Sequence, residues 1–171
     1  MNITKLLQAY LFVTIISFLG ACTHTQTTIT TEPSSAVTSR PCDHDDATFR
    51  CVKYVKNYDA DTVTVEIPNV HPLLGQKISV RVNGIDAPEM NGKKPCEKEA
   101  ARNAQRLVES LLKNAKQIDL NNVDRDKYFR ILADVSADGQ SVKTLLLENK
   151  LAYEYSGGTK VAINWCSFTK R

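Results

Sequence analysis

The alternation between Ile78 and Asn83 most limits how this chain can fold. Ile78, Val80 and Val82 alternate with Ser79, Arg81 and Asn83, so the stretch reads as a strand with one apolar face and Arg81 on the other. Gly84 invites a bulge or bend that returns Asp86 to the side of Arg81. Pro88 pushes Ala87 into an extended conformation and ends the strand. One cation and two carboxylates, Asp86 and Glu89, then project from a rigid strand end. That set suits a phosphate and a hard metal ion.

The flanking sequence supplies a sheet and a helix for this strand. Phe49 to Lys56 reads as a first strand, and Asn57-Tyr-Asp-Ala as a turn. Val63, Val65 and Ile67 alternate with Thr62, Thr64 and Glu66 to give a second strand. Pro68 to Gly75 reads as a loop, in which His71 is assigned no role. From Cys96, apolar residues at Ala100, Ala104, Leu107, Val108, Leu111 and Leu112 recur at helical spacing, with Asn114 as the stop. Ile118 and Leu120 mark a fourth strand, and Phe129, Ile131, Ala133 and Val135 a fifth. Asp138-Gly139 is a turn, and Ser141 caps a short helix carrying Val142, Leu145, Leu146 and Leu151. The tail from Ala152 reads as irregular. The expectation is an α+β fold: a five-stranded barrel of the oligonucleotide-binding (OB) type, with a helix between strands three and four and a second short helix after strand five.

The chain has 171 residues, room for one domain. Met1 to Ala21 reads as a signal peptide: Lys5 precedes a mostly apolar run from Leu6 to Leu19 that is short for a membrane span. Leu19-Gly-Ala-Cys22 resembles the lipobox of bacterial lipoproteins, in which cleavage precedes the cysteine and its thiol carries diacylglycerol; the alternative is an ordinary signal peptide with a spare cysteine. Residues 22–41, rich in Thr and Ser, read as a disordered tether, and 42–171 as the folded domain. The expected location is the cell envelope, at the outer membrane or facing the periplasm if the cell has two membranes, and otherwise extracellular. Removing Lys5 from the 22 Lys and Arg leaves 21 against 19 Asp and Glu, a balance that permits a polyanionic partner without demanding one. Cys42, Cys51, Cys96 and Cys166 remain, an even count that favours two disulfides in an oxidising compartment. Of three pairings, Cys42–Cys51 and Cys96–Cys166 are favoured. Zinc on Cys42, His44, Asp45 and Cys51 is the competing arrangement.

Three charged clusters fall on these elements in order: Asp59-Ala-Asp61-Thr62, Arg81 with Asp86-Ala-Pro-Glu89, and Asp126-Lys-Tyr-Phe-Arg130. Together, from about Tyr54 to Tyr155, they resemble the staphylococcal nuclease (thermonuclease) family. The resemblance implies a Ca²⁺ held by Asp61, Asp86 and the Ala87 carbonyl, with Asp59 just outside. It implies Glu89 orienting or deprotonating water, and Arg81 and Arg130 gripping the reacting phosphate. Lys127 and Tyr128 would contact a neighbouring phosphate, and Tyr153 and Tyr155 would form a wall beside the nucleotide. The implied substrate is DNA, with RNA left open, cut with little sequence preference to leave 3′-phosphate ends. The chain departs from the family pattern at Ala60, where a glycine is usual and a positive φ would strain alanine. It departs again at Phe129, also a glycine position, which either shifts Arg130 or adds core. The loop from Met90 to Pro95 is shorter, and the long final helix is absent.

The residue types agree with that chemistry. Two carboxylates and a carbonyl make a loose oxygen site for calcium. Guanidinium groups match the charge that builds on phosphorus oxygens, which lysine does not reproduce. The expectation is a monomeric, lipid-anchored, calcium-dependent endonuclease with an alkaline optimum. The alternatives are a non-catalytic OB-fold lipoprotein that binds single-stranded nucleic acid, and an envelope scaffold. Neither needs Asp61, Asp86 and Glu89 together.

Overall fold

The structure, a computed structural model, describes residues 42–167. The signal peptide, Cys22 and the tether lie outside the described residues. Strand β1 (Lys53–Asn57) pairs antiparallel with β2 (Thr62–Glu66), and β2 with β3 (Ile78–Val82). β3 then lies parallel to β6 (Ile131–Ala137), which pairs antiparallel with β5 (Ile118–Arg125). The sheet order is β1-β2-β3-β6-β5, with β7 (Gln140–Ser141) appended to β6. A separate two-stranded pair joins β4 (Ile85–Asp86) to β8 (Tyr153–Glu154).

The period-two pattern decides the buried face. Val63, Val65, Val80, Val82, Leu120, Ala133 and Val135 are all buried. Helix α2 (Pro95–Asn114) brings Ala104, Val108 and Leu112 to the same core, and α3 (Val142–Glu148) brings Val142 and Leu146. Pro95 opens α2, and the Lys94 N–H donates to Glu97 Oε2 at 3.1 Å, which supplies a partner at the helix start. Ser141 caps α3 as its sequence position suggests, its hydroxyl accepting from the Thr144 N–H. Asp138 and Gly139 both have positive φ, 48° and 83°, as a two-residue type I′ hairpin requires.

Three expectations are corrected, and one alternative is set aside. The five-stranded barrel is not closed among the described residues: β1 and β5 are the two ends of the sheet path, and short strands raise the strand count to eight. The reason is local. Cys51, predicted inside the first strand, sits at φ 54°, so regular pairing starts only at Lys53. The preceding segment reaches β5 without forming a regular ladder: through an isolated bridge, Phe49 to Leu120, the Val52 N–H to Ile118 O bond at 2.9 Å, the Val123 N–H to Ala47 O bond at 3.0 Å and the Cys51 N–H to Asp119 Oδ1 bond at 2.8 Å. The predicted loop at 68–75 contains a short helix, α1 (Pro72–Gly75), and His71 has a role there as its N-cap, accepting from the Leu73 N–H at 3.2 Å. The tail is not irregular throughout, because Tyr153 and Glu154 pair with β4. Zinc is displaced as a reading of the first cysteines: Cys42 and Cys51 are bonded to each other, as are Cys96 and Cys166. His44 Nε2 instead hydrogen-bonds Pro68 O, and Asp45 pairs with Arg50.

Both departures from the family glycines resolve. Ala60 is fully buried and does not occupy the positive-φ region, so it carries no such strain. Phe129 does, at φ 63°, and its ring is 80% exposed, so it adds no core. A left-handed backbone costs a Cβ-bearing residue about 1 kcal/mol or more. Phe129→Gly is therefore expected to raise stability by about 1 kcal/mol, since the exposed ring has little packing to lose. Urea unfolding of the two proteins checks this.

Candidate active site

Two adjoining strands and one bend assemble the core of the site. Thr62 faces Arg81 across the β2–β3 ladder, and the Val82 N–H donates to Asp61 O at 2.8 Å. These contacts hold the Asp61 side chain beside Arg81. Gly84, at φ 74°, lets the chain turn so that Asp86 comes back to the same guanidinium. Arg81 Nη1 pairs with Asp61 Oδ1, while Nη2 donates to Asp86 Oδ1 at 2.8 Å and to Ile85 O at 3.1 Å. Asp61 Oδ2 accepts from the Ala87 N–H at 2.9 Å. The structure thus shows Ala87 engaged through its amide; its carbonyl, expected as a metal ligand, has no such contact shown.

Asp86 gathers three donors. Beyond Arg81, it accepts from the Tyr153 hydroxyl at 2.9 Å and from Lys160 Nζ at 2.9 Å. Lys160 also reaches Glu89 Oε1 at 3.0 Å. Burial opposes the charge of Asp86, but hydrogen bonds from Lys160, Arg81 and Tyr153 outweigh it and hold the carboxyl below its ordinary range. Burial and the Asp86 hydrogen bond push the Tyr153 hydroxyl up to about 12. Burial also works against the Arg81 charge, and the Asp61 and Asp86 carboxylates together more than restore it.

Asp59 is the exception to this pairing. Its Oδ1 is buried without a hydrogen-bond partner. Burial first, then repulsion from Asp61 and Glu89, raises its pKa from 3.8 to about 6. The folded chain therefore binds this proton more tightly than the unfolded chain, and stability falls as pH rises from 3.8 to about 6. A shift of that size corresponds to about 3 kcal/mol for an enclosed group. Solvent screening at this half-buried position reduces it to about 1–2 kcal/mol. Asp59→Asn is expected to stabilise the cation-free protein by that amount at pH 8 and by little near pH 4, as measured by denaturant titration.

The turn entering β6 presents the second arginine. Asp126 Oδ1 accepts from the Tyr128 and Arg130 N–H groups at 2.8 and 2.9 Å, and Oδ2 accepts from Arg130 Nε at 2.7 Å. This fixes the guanidinium by one edge. Lys127 Nζ and Arg130 Cζ lie 5.2 and 5.5 Å from the centroid of the Tyr128 ring.

Arg81, Glu89, Lys127, Tyr128, Arg130 and Tyr155 line one cleft of about 550 Å³, together with Asp59 and Lys160. Asp61 and Asp86 do not line this cleft; both are buried and reach it through their pairing with Arg81. Tyr153 is not on the cleft wall as expected; its hydroxyl supports Asp86, and its ring lies 6.1 Å from that of Trp165. Sequence reasoning missed Lys160 and the role of Asp126. For Lys160 the only signal was Gly157-Gly158, a turn marker just before a lysine.

Among the described residues no three His, Cys, Asp or Glu side chains form a ready-made metal cage. The donor set nevertheless fits a hard divalent cation. Four carboxylates, Asp59, Asp61, Asp86 and Glu89, face two compensating cations, Arg81 and Lys160, and one buried carboxylate oxygen is unsatisfied.

The sequence profile of the family described as "Staphylococcal nuclease homologue" matches residues 79–162. The chain is similar to "Endonuclease YncB" of Bacillus subtilis (strain 168), with 36% identity over 107 residues, 60% of this chain and 48% of that protein. It is similar also to "Uncharacterized 38.1 kDa protein" of Capnoides sempervirens, with 29% identity over 102 residues, 60% of this chain and 28% of that protein. The chain thus spans about half or less of the length of these relatives.

Proposed function

We propose, from the match of residues 79–162 to the staphylococcal nuclease homologue family, that the chain is a Ca²⁺-dependent endonuclease cutting DNA, and RNA as a second substrate, with little sequence preference. The observation that carries this reading is that Arg81, which lines one cleft with Glu89 and Arg130, is paired with both Asp61 and Asp86. Asp61, Asp86 and the Ala87 carbonyl would hold the cation, which polarises a phosphoryl oxygen when bound. Glu89 orients the attacking water. Arg81 and Arg130 take up the charge that grows on the phosphorus oxygens. Lys127 and Tyr128 contact the next phosphate, and Tyr155 flanks the nucleotide. Scission of the 5′ P–O bond leaves 3′-phosphate ends. A glutamate is a weak general base near neutrality, so the rate rises toward alkaline pH. The chain acts as a monomer, exported and held at the envelope by lipid on Cys22. The two disulfides support an oxidising compartment.

The test is to incubate the purified chain with single- and double-stranded DNA and with RNA, in Ca²⁺ or chelator, and to analyse the ends. Calcium-dependent cleavage to 3′-phosphate termini, lost in Glu89→Gln, supports the reading. Cleavage unaffected by chelator or by that variant contradicts it. A second reading is non-catalytic binding of single strands. It is favoured by the exposed rings of Tyr128 and Phe129 beside Lys127, since unpaired bases stack on such rings. Binding without cleavage in the same experiment would select it.

A further inference from the structure

We infer that Lys160 is a tethered competitor of the divalent cation, neutralising Asp86 and Glu89 itself and withdrawing when a cation is taken up. The inference rests on the cation site proposed above. Asp86 Oδ1 accepts from both Arg81 Nη2 and Lys160 Nζ, so both lone-pair directions of that oxygen are occupied. For Asp86 to offer Oδ1 to a cation, one of the two donors must leave.

The surroundings decide which. Arg81 rises from β3, is also bonded to Asp61 and to Ile85 O, and its side chain is 14% exposed. The Lys160 side chain is 49% exposed, and it follows Gly157 and Gly158, at φ 100° and 89°. No atom lies within 4 Å of either glycine's Cβ position, and the hydrogen bond on this turn is an exposed one, from the Tyr155 hydroxyl to Gly158 O at 2.7 Å. Lys160 is the mobile partner. It is nonetheless tethered on both sides: Tyr153 and Glu154 pair with β4, and Cys166 is bonded to Cys96 at the start of α2. The displaced ammonium therefore stays beside the cleft, with Lys127 and Arg130, where a substrate phosphate would meet it.

The experiment needs no nucleic acid. Ca²⁺ is titrated calorimetrically into the full chain, wild type, Lys160→Met, Lys160→Gln and Lys160→Arg, and unfolding midpoints are recorded with and without saturating Ca²⁺. Removing a competing charge is expected to tighten Ca²⁺ binding about tenfold or more in Lys160→Met and Lys160→Gln. Their cation-free midpoints fall while the calcium-saturated midpoints hold, and Lys160→Arg stays near wild type. Unchanged or weaker affinity in both neutral variants overturns the inference. So does an equal fall of both midpoints, which a purely structural lysine would give. If wild type binds Ca²⁺ and the neutral variants bind it equally, only the role of Lys160 is lost. If no form binds Ca²⁺, the proposed cation site is lost with it.

Discussion

Arg130→Lys is expected to slow phosphodiester cleavage by about 10²–10³ while leaving the fold intact. The guanidinium is planar and is fixed by its Nε edge on Asp126, so it meets a phosphate in one orientation. Lysine keeps the charge but loses both the Asp126 alignment and the paired hydrogen bonds. Arg130 is partly exposed, and its ion pair with Asp126 lies at the surface, so little stability depends on it. The loss should fall on kcat more than on KM, because the contact strengthens as charge develops. Single-turnover rates alongside unfolding curves separate the two effects. A variant that cuts at the wild-type rate would remove Arg130 from the chemistry.

Arg81→Met is expected to act on the fold itself. Asp61 is 2% and Asp86 5% exposed, and both lean on this guanidinium. Removing one partner of a buried ion pair leaves uncompensated charge and costs about 3–5 kcal/mol. Lys160 also pairs with Asp86 and compensates part of that loss. The pH dependence has a definite sign. Asp86 is held below its ordinary pKa in the native protein, so its pairing stabilises the fold above the unfolded value of 3.8 and is lost as pH falls. The variant should therefore lag wild type most at neutral pH and approach it in acid, where Asp86 is protonated. Denaturant titrations at several pH values would show this. A uniform loss at all pH values would point to packing rather than charge.

These two arginines differ in how openly the sequence announces them. Arg81 lies at the polar phase of an alternating strand, and Gly84 marks the bend that brings Asp86 to it, so geometry and chemistry are readable together. Val63, Val65, Val80 and Val82 mark the buried face because a strand has period two. The barrel expectation overreached because alternation continues through Cys51, and its left-handed backbone is a tertiary choice that no side-chain pattern records. β8 is two residues long, too short for any period. Lys160 comes from an aperiodic tail, and its position depends on a disulfide and a hinge rather than on a motif. Phe129 shows the opposite limit: its identity suggests core, and its backbone angle makes it an exposed, strained tip.

The account turns on one divalent cation shared by Asp61 and Asp86 and flanked by two guanidinium groups. The direct measurement is a crystal structure of the Glu89→Gln chain with Ca²⁺ and a short oligodeoxynucleotide. The expected result is a single Ca²⁺ within about 2.3–2.6 Å of carboxylate oxygens from both aspartates, with Arg81 and Arg130 on the same phosphate and Lys160 moved off Asp86. A cation bound elsewhere, or a phosphate held by neither arginine, would contradict it.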